Sequence, residues 1–389
     1  MGAIAVQSVE QDMRRRAFLS RAGAMAGTPF FGRVAAAGVS GTPVETRGPE
    51  ALDEALERLA STGPEYGGGL ANHGPMAAEA LVRLGRADVV SAWVDGYRRR
   101  LSPALDGRRP VATAEWREAL GDIGRVGDWA VLFERALREA PWTVVLEEWA
   151  PRLAPGLSAA ACHGLIRAGH AARSLAVRDT PARRRELAQG LAYWAARYQT
   201  LPERAAPAAR LRPSEAIGRV PTLPEDQRRG HGLITDRLAG LGGLRSFADV
   251  ADLVDVGADG FLSDLTATFA GVYLAQARSG SLIALIHAVT GPSAVRLLLP
   301  HLSQGSSRPL LRYAWQVAAG IYAAHAGPPG PLPPAEPRET SWDALVDRAV
   351  ATADEHAIKF TEACLREHAI SPKPAFLTAA RKACEALSS

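Results

Sequence analysis

Cysteine is scarce in this chain: three residues in 389, Cys162, Cys364 and Cys384, too scattered for a disulfide framework or a zinc ribbon. That usage fits a reducing compartment, and a cytoplasmic location is expected. No uncharged apolar run approaches the roughly 20 residues that cross a bilayer, so no membrane role is expected. Charge of one sign is also lacking. The formal net charge is only +4, and residues 1–47, with six arginines against Glu10, Asp12 and Glu45, carry most of the excess. The remainder is close to neutral, which argues against a nucleic-acid or anionic-membrane footprint. Phosphate and dinucleotide loops are missing as well. There is no G-x-G-x-x-G after a strand, no G-K-[ST], no H-E-x-x-H and no G-x-S-x-G, and Gly67-Gly68-Gly69 lacks a strand–helix context.

What is present is helical patterning. From Pro49 onward, Ala-, Leu- and Arg-rich stretches place apolar residues three and four apart, and no run alternates with a strand-like period of two. Helices are expected over 51–60, 75–85, 113–120, 125–139, 157–178, 181–198, 247–257, 261–278, 281–289, 292–301, 308–325, 342–368 and 374–387. Pro-rich stretches at 201–224 and 326–337 read as surface loops, with a lid as the alternative. The fold class is all-α, a compact multi-helix domain over 48–389 preceded by a basic leader over 1–47. Arg15-Arg16-Ala17-Phe18-Leu19-Ser20 in that leader resembles a twin-arginine export motif, so export by that route is the alternative location. Nothing in the pattern sets an oligomeric state.

Chemistry concentrates in four histidine contexts. In the helix expected from Trp342, His356 falls within the apolar stripe, and Lys359 lies three residues on, on the flank of the same face. A lysine between Ile358 and Phe360 must snorkel, find an acid partner or lose its proton. A neutral amine reacts with carbon dioxide to give a carbamate, whose oxygens can bind a metal. A snorkelling lysine beside a core histidine is the plainer reading. His163, Arg167, His170 and Ser174 share one face of the helix expected over 157–178, which reads as a pocket lining or as a solvated stripe. His287, within Ile283–Val289, has no charged neighbour and is expected to be buried and neutral, the form a metal requires. His73, in Asn72-His73-Gly74-Pro75, stands at a helix entry, where a turn or capping role competes with ligation. His231, His301, His325 and His368 have surface or helix-end contexts and are assigned no chemistry.

Four short motifs in order carry a resemblance: Ala71–Pro75, Cys162–Arg167, His287–Thr290 and Asp354–Lys359. With them the chain resembles the questin oxidase-like family of fungal and bacterial secondary metabolism, from about residue 50 to residue 385. The resemblance implies a mononuclear non-haem iron, Fe(II), held by His73, His163, His287, His356 and Lys359 as its carbamate. It also implies molecular oxygen and an anthraquinone-like aromatic polyketide as substrates, with NADPH as a candidate external reductant. Fungal members have a histidine where Arg167 stands, so His170 on the same face is a reserve ligand. Arg167 is a candidate to hold a phenolate or carboxylate, and Trp93, Tyr313 or Trp315 to stack on a planar ring, although core packing is the plainer reading for each aromatic. Two other classes compete: a metal-dependent hydrolase using a carbamylated lysine, and a non-catalytic helical binding protein with a structural metal.

Overall fold

Side chains that accept hydrogen bonds open several of the helices, satisfying backbone N–H groups that have no partner within the helix. Thr180 accepts from Arg183 N, Ser303 from Ser306 N, Ser341 from Ala344 N, and Asp354 from both His356 N and Ala357 N. The computed structural model describes residues 44–204, 210–228, 232–277, 280–327 and 341–388, with side chains from residue 48 onward. The leader motif, His231 and residues 328–337 of the second Pro-rich stretch lie outside them.

Helix accounts for about 72% of the described residues, and their fold is all-α. The longer helices are α1 (Val44–Leu59), α2 (Gly74–Arg83), α3 (Ala87–Tyr97), α4 (Val126–Glu139), α5 (Trp142–Leu153), α6 (His163–Val177) and α7 (Pro181–Ala196), then α8 (Phe261–Gln276), α9 (Leu282–Leu298), α10 (Gln304–His325), α11 (Trp342–Ala351), α12 (Glu355–Ile370) and α13 (Pro374–Leu387). Among the described residues the only sheet is an antiparallel hairpin, β1 (Glu65–Tyr66) with β2 (Leu70–Ala71), pairing Glu65 with Ala71 and Tyr66 with Leu70. Its turn is Gly67-Gly68-Gly69, all at positive φ (54°, 86° and 106°), so the glycine run serves the backbone and not a phosphate.

Several elements depart from the expected pattern. The helix expected over 342–368 is two helices, broken at Thr352–Asp354, where Ala353 has φ +53° and Asp354 caps α12. A continuous 342–368 stripe therefore does not place His356; it stands in the first turn of a new helix. The helix expected from 157 begins only at His163, because Ala160, Ala161 and Cys162 are all left-handed (φ 46°, 54° and 71°). The pieces expected at 281–289 and 292–301 are one helix, with Pro292 accommodated inside α9. Helices α3 and α5 were not expected. Val89-Val90 and Gly96 weaken the local signal of α3, as Thr143-Val144-Val145 and Pro151 weaken that of α5, and burial overrides propensity in both. The stretch 247–257 forms 3₁₀ turns over Arg245–Asp252, and Ala216 and Leu223 of the first Pro-rich stretch pack into the core.

The core has two parts. The larger joins α4–α13 with Met76 of α2, and the smaller joins α1, α2 and α3 to Ala182, Val346 and Ile358. Helix α12 belongs to both, through Ala357 and Phe360 on one side and Ile358 on the other. By length and composition Leu282–His301 could cross a membrane, but 83% of that window is buried in the protein, as befits a central core helix.

Helix α6 packs tightly on α7 because glycines stand at the crossing. A Cβ on Gly164 would lie 2.4 Å from Trp194 Cα, and one on Gly190 would lie 2.8 Å from Ala168 N. These obstacles are main-chain atoms, which cannot rotate away. Gly164→Ala is expected to destabilise the protein by about 1–3 kcal/mol, the usual cost of overpacking, read as a lower urea midpoint. An unchanged midpoint would mean that the crossing is looser than described.

Candidate metal centre

His73 takes its place from a tightly bonded turn. Asn72 donates to Thr62 Oγ1 (3.0 Å) and Gly63 O (2.9 Å) and accepts from Gly74 N (2.9 Å), while the His73 N–H donates to Tyr97 Oη at 2.7 Å. Pro75, the second residue of α2, then puts in the first turn a residue that has no N–H to leave unpaired. The left-handed run 160–162 swings the chain so that His163 is the first residue of α6. His287 lies mid-way along α9, and His356 follows the break before α12.

These four residues converge. Each offers a ring nitrogen, and the four nitrogens lie within 4.8 Å of one another. His73, His163 and His287 are buried (4%, 6% and 1% exposed), and the His356 side chain is 13% exposed. His163 Nε2 lies 2.5 Å from His73 Nε2 and 3.0 Å from His287 Nε2.

The outward nitrogens decide where the protons are. His163 Nδ1 is bonded to Ala160 O, and His287 Nδ1 to Ile283 O at 2.7 Å. A carbonyl oxygen can only accept, so both Nδ1 atoms carry hydrogen, and in neutral rings both Nε2 atoms are lone pairs. His73 Nδ1 faces Glu355 Oε1 at 3.4 Å, a contact outside hydrogen-bond geometry. The other Glu355 oxygen accepts from Arg100 Nη2 at 2.7 Å. Burial alone would raise the Glu355 carboxyl, but Arg100 and His73 hold it well below the usual carboxylate range. An ionised carboxylate is also an acceptor only, so its charge favours the hydrogen on the facing Nδ1, the tautomer that leaves the His73 Nε2 lone pair inward. His356 Nδ1 lies 3.5 Å from Asp354 Oδ1.

Protonation does not relieve this crowding. Burial is the largest effect lowering His73, His163 and His287 well below 6.5; the Lys359 charge adds to it at His73, the neighbouring histidines at His163, and His356 then Lys359 at His287. Converging imidazole nitrogens, two of them on rings bonded to carbonyls on the far side and two on rings that face carboxylates, form a donor set suited to a divalent transition metal. Lys359, 3% exposed, is lowered to about 8 by burial, against the opposing pull of Glu355 and Asp354.

The other expected site residues lie elsewhere. His170 is outside the four-histidine group; its Nδ1 is 2.7 Å from Glu79 Oε2. Arg173 joins Glu79 (2.5 Å) to Glu362 (2.5 Å), tying together α2, α6 and α12, the helices that carry or follow three of the four histidines. Arg167 is not a free cation for a substrate anion, because it forms a two-pronged pair with Glu186 at 2.5 and 2.8 Å, leaving only Nη1 without a partner. Trp315 is fully buried and donates to Val250 O. Trp93 stacks on Tyr97 and donates to Ala353 O, bracing the helix break, and Tyr313 bonds Glu203. Sequence reasoning missed Arg100 and Tyr97, which reach the site from the end of α3, a helix it did not expect. Glu355 and Asp354 were visible beside His356, but not the rings they face.

Fold and centre together define an all-α protein with a buried four-histidine site able to hold a metal ion. Residues 264–364 match the questin oxidase-like family, which bears out the resemblance drawn from the motifs and implies an oxidoreductase. The match contains His287, His356 and Lys359; His73 and His163 lie outside it and are joined to the set by geometry alone. No curated protein matches the chain.

Two expectations follow. In the metal-free protein the three buried imidazoles have lowered pKa values, so the stability their neutral forms confer is complete above about pH 6.5 and is lost as the pH falls below it, on the order of 1 kcal/mol per unit for each histidine. Urea midpoints at pH 7.5 and 5.5 check this, and a flat profile would mean that the rings are solvated. Arg173→Met, which strips a cation from two buried carboxylates, is expected to cost about 3–5 kcal/mol in the same assay.

Proposed function

We propose that the protein is a metal-dependent oxygenase whose native metal is ferrous iron, held by His73, His163, His287, His356 and Lys359 as its carbamate. The observation that carries this reading is the convergence of the imidazole lone pairs beside a buried lysine, in a chain whose C-terminal part matches an oxidase family. A pKa of about 8 leaves a useful fraction of Lys359 neutral near physiological pH, and the neutral amine is the form that adds carbon dioxide. Zinc, manganese or cobalt would also suit the imidazoles, so the preference for iron comes from the family.

The substrate in this reading is an anthraquinone-like aromatic polyketide, with molecular oxygen as co-substrate. Iron with an open position would supply the electrons that let a ground-state oxygen molecule react. The protein's own groups hold the imidazoles in one tautomer, keep protons off them and exclude water. For a Baeyer–Villiger-like outcome one oxygen atom enters between a ring carbonyl carbon and its neighbour. The other leaves as water, which requires two electrons and two protons: a hydride from external NADPH and one proton from solvent. A ring-cleaving dioxygenase would place both atoms in the product and consume no NADPH.

A hydrolase with carbamylated lysine is less well supported, since the nearby carboxylates of Glu355 and Asp354 face imidazoles and are not themselves in the ligand cluster. The test is elemental analysis of protein purified anaerobically with ferrous iron, followed by oxygen uptake and NADPH consumption with anthraquinones. About one iron per chain is expected in the wild type, lost in His356→Ala and sharply reduced in Lys359→Ala, with uptake following iron content. Iron-free wild type would defeat the reading, and bound iron without oxygen uptake would leave a structural metal in a binding protein.

A further inference from the structure

His163 and His287 obtain their outer partners from their own local chain, three and four residues back. His73 cannot. It stands at the very start of α2, with no preceding turn of helix to offer a carbonyl, and its Nδ1 has no hydrogen-bond partner. What faces that atom is Glu355, 3.4 Å away from a different helix, with both side chains 5% exposed.

Glu355 is itself held. Its second oxygen accepts from Arg100 Nη2 at 2.7 Å, the Arg100 guanidinium lies over the Tyr97 ring at 4.0 Å, and the Tyr97 hydroxyl accepts the His73 backbone N–H at 2.7 Å. Arg100, Glu355, His73 and Tyr97 thus close a ring of contacts around one imidazole. The carboxylate cannot swing away without abandoning Arg100, and His73 cannot turn its ring without losing Glu355.

We propose that Glu355 is a positioning residue for the metal centre: the carboxylate that Arg100 orients fixes His73 with its hydrogen on Nδ1 and its lone pair on Nε2, aimed at the other histidines. This rests on the metal-binding reading above but not on the identity of the metal or on oxygenase activity. Outer partners of metal-bound histidines of this kind fix the tautomer and raise ligand basicity.

The arrangement makes a specific demand on substitutions. In Glu355→Gln the amide has one acceptor. Arg100 takes that oxygen, which turns the NH₂ group toward His73 Nδ1, donor against donor. The ring must then move its hydrogen to Nε2, where it blocks the metal. Removing Arg100 as well frees the amide to turn its oxygen to His73. An ion pair that merely braced the fold would show the opposite order, with the double variant the worst.

The experiment titrates metal-free full-length protein with Co²⁺, followed by visible absorption against a competing chelator, with urea stability measured in parallel. Glu355→Ala and Glu355→Gln are each expected to weaken Co²⁺ binding by about 10- to 100-fold, and Arg100→Met combined with Glu355→Gln to recover most of the loss. In the zinc-loaded wild type, nitrogen-15 NMR should show His73 with its hydrogen on Nδ1. Wild type that binds tightly while Glu355→Gln binds equally well, or a double variant weaker than Glu355→Gln, would overturn the positioning role alone. Wild type that binds neither ion would overturn it together with the metal centre.

Discussion

Lone pairs on neighbouring imidazoles repel at the separations of 2.5 and 3.0 Å found here, and burial denies them the usual relief of taking up a proton. A cation shared among them is the arrangement that turns this repulsion into binding. The surroundings are consistent with it. Two of the far-side nitrogens are committed to backbone carbonyls, so the His163 and His287 rings present lone pairs inward, and the other two face carboxylates at 3.4 and 3.5 Å. Polar atoms buried in this number are costly unless satisfied, and it is the centre, more than any apolar contact, that gives them partners.

The scaffold brings these rings together by ending helices at the seam between two cores. His73 precedes α2, His163 opens α6 and His356 stands in the first turn of α12; only His287 comes from a helix interior. Three helix N-termini near one point add a positive field, which disfavours imidazolium and favours anionic oxygen close by. Asp354 and Glu355 supply such oxygen from the α11–α12 break. The same break, held by the Asp354 cap and by Trp93 bonding Ala353, turns His356 toward the others. The Arg173 bridge lies further along the same helices and resists their separation.

Much of this was legible in the residues, though unevenly. Helical periodicity marked the amphipathic elements, and the apolar surroundings of His287 marked it as buried and neutral. His356 and Lys359 were found on one helix, but for a partly wrong reason, since the stripe that pointed to them crosses a break at left-handed Ala353. The helices that escaped notice, α3 and α5, have weak local propensity and are formed by burial, and burial is a tertiary property. Glu355 and Arg100 were unreadable as a pair for the same cause: they are 255 residues apart and meet only when the fold brings the turn after α3 to the start of α12. His170 had the right residue type on the right face, but its two-turn offset from His163 carries it past the centre to Glu79.

Charge balance joins the metal to Lys359. Four neutral imidazoles contribute no charge, so a divalent cation among them leaves two positive charges in a buried site where Glu355 is already partly balanced by Arg100. An ammonium on Lys359 would add a third, close enough to the rings that it already disfavours their protonation. Metal binding and a protonated Lys359 are therefore antagonistic, and the cation must push the lysine further toward its neutral form. In the proposed function the amine then adds carbon dioxide and releases a proton, exchanging a positive charge for a negative one. Burial alone places Lys359 close enough to deprotonation for this step; a lysine in water would remain charged and repel the ion.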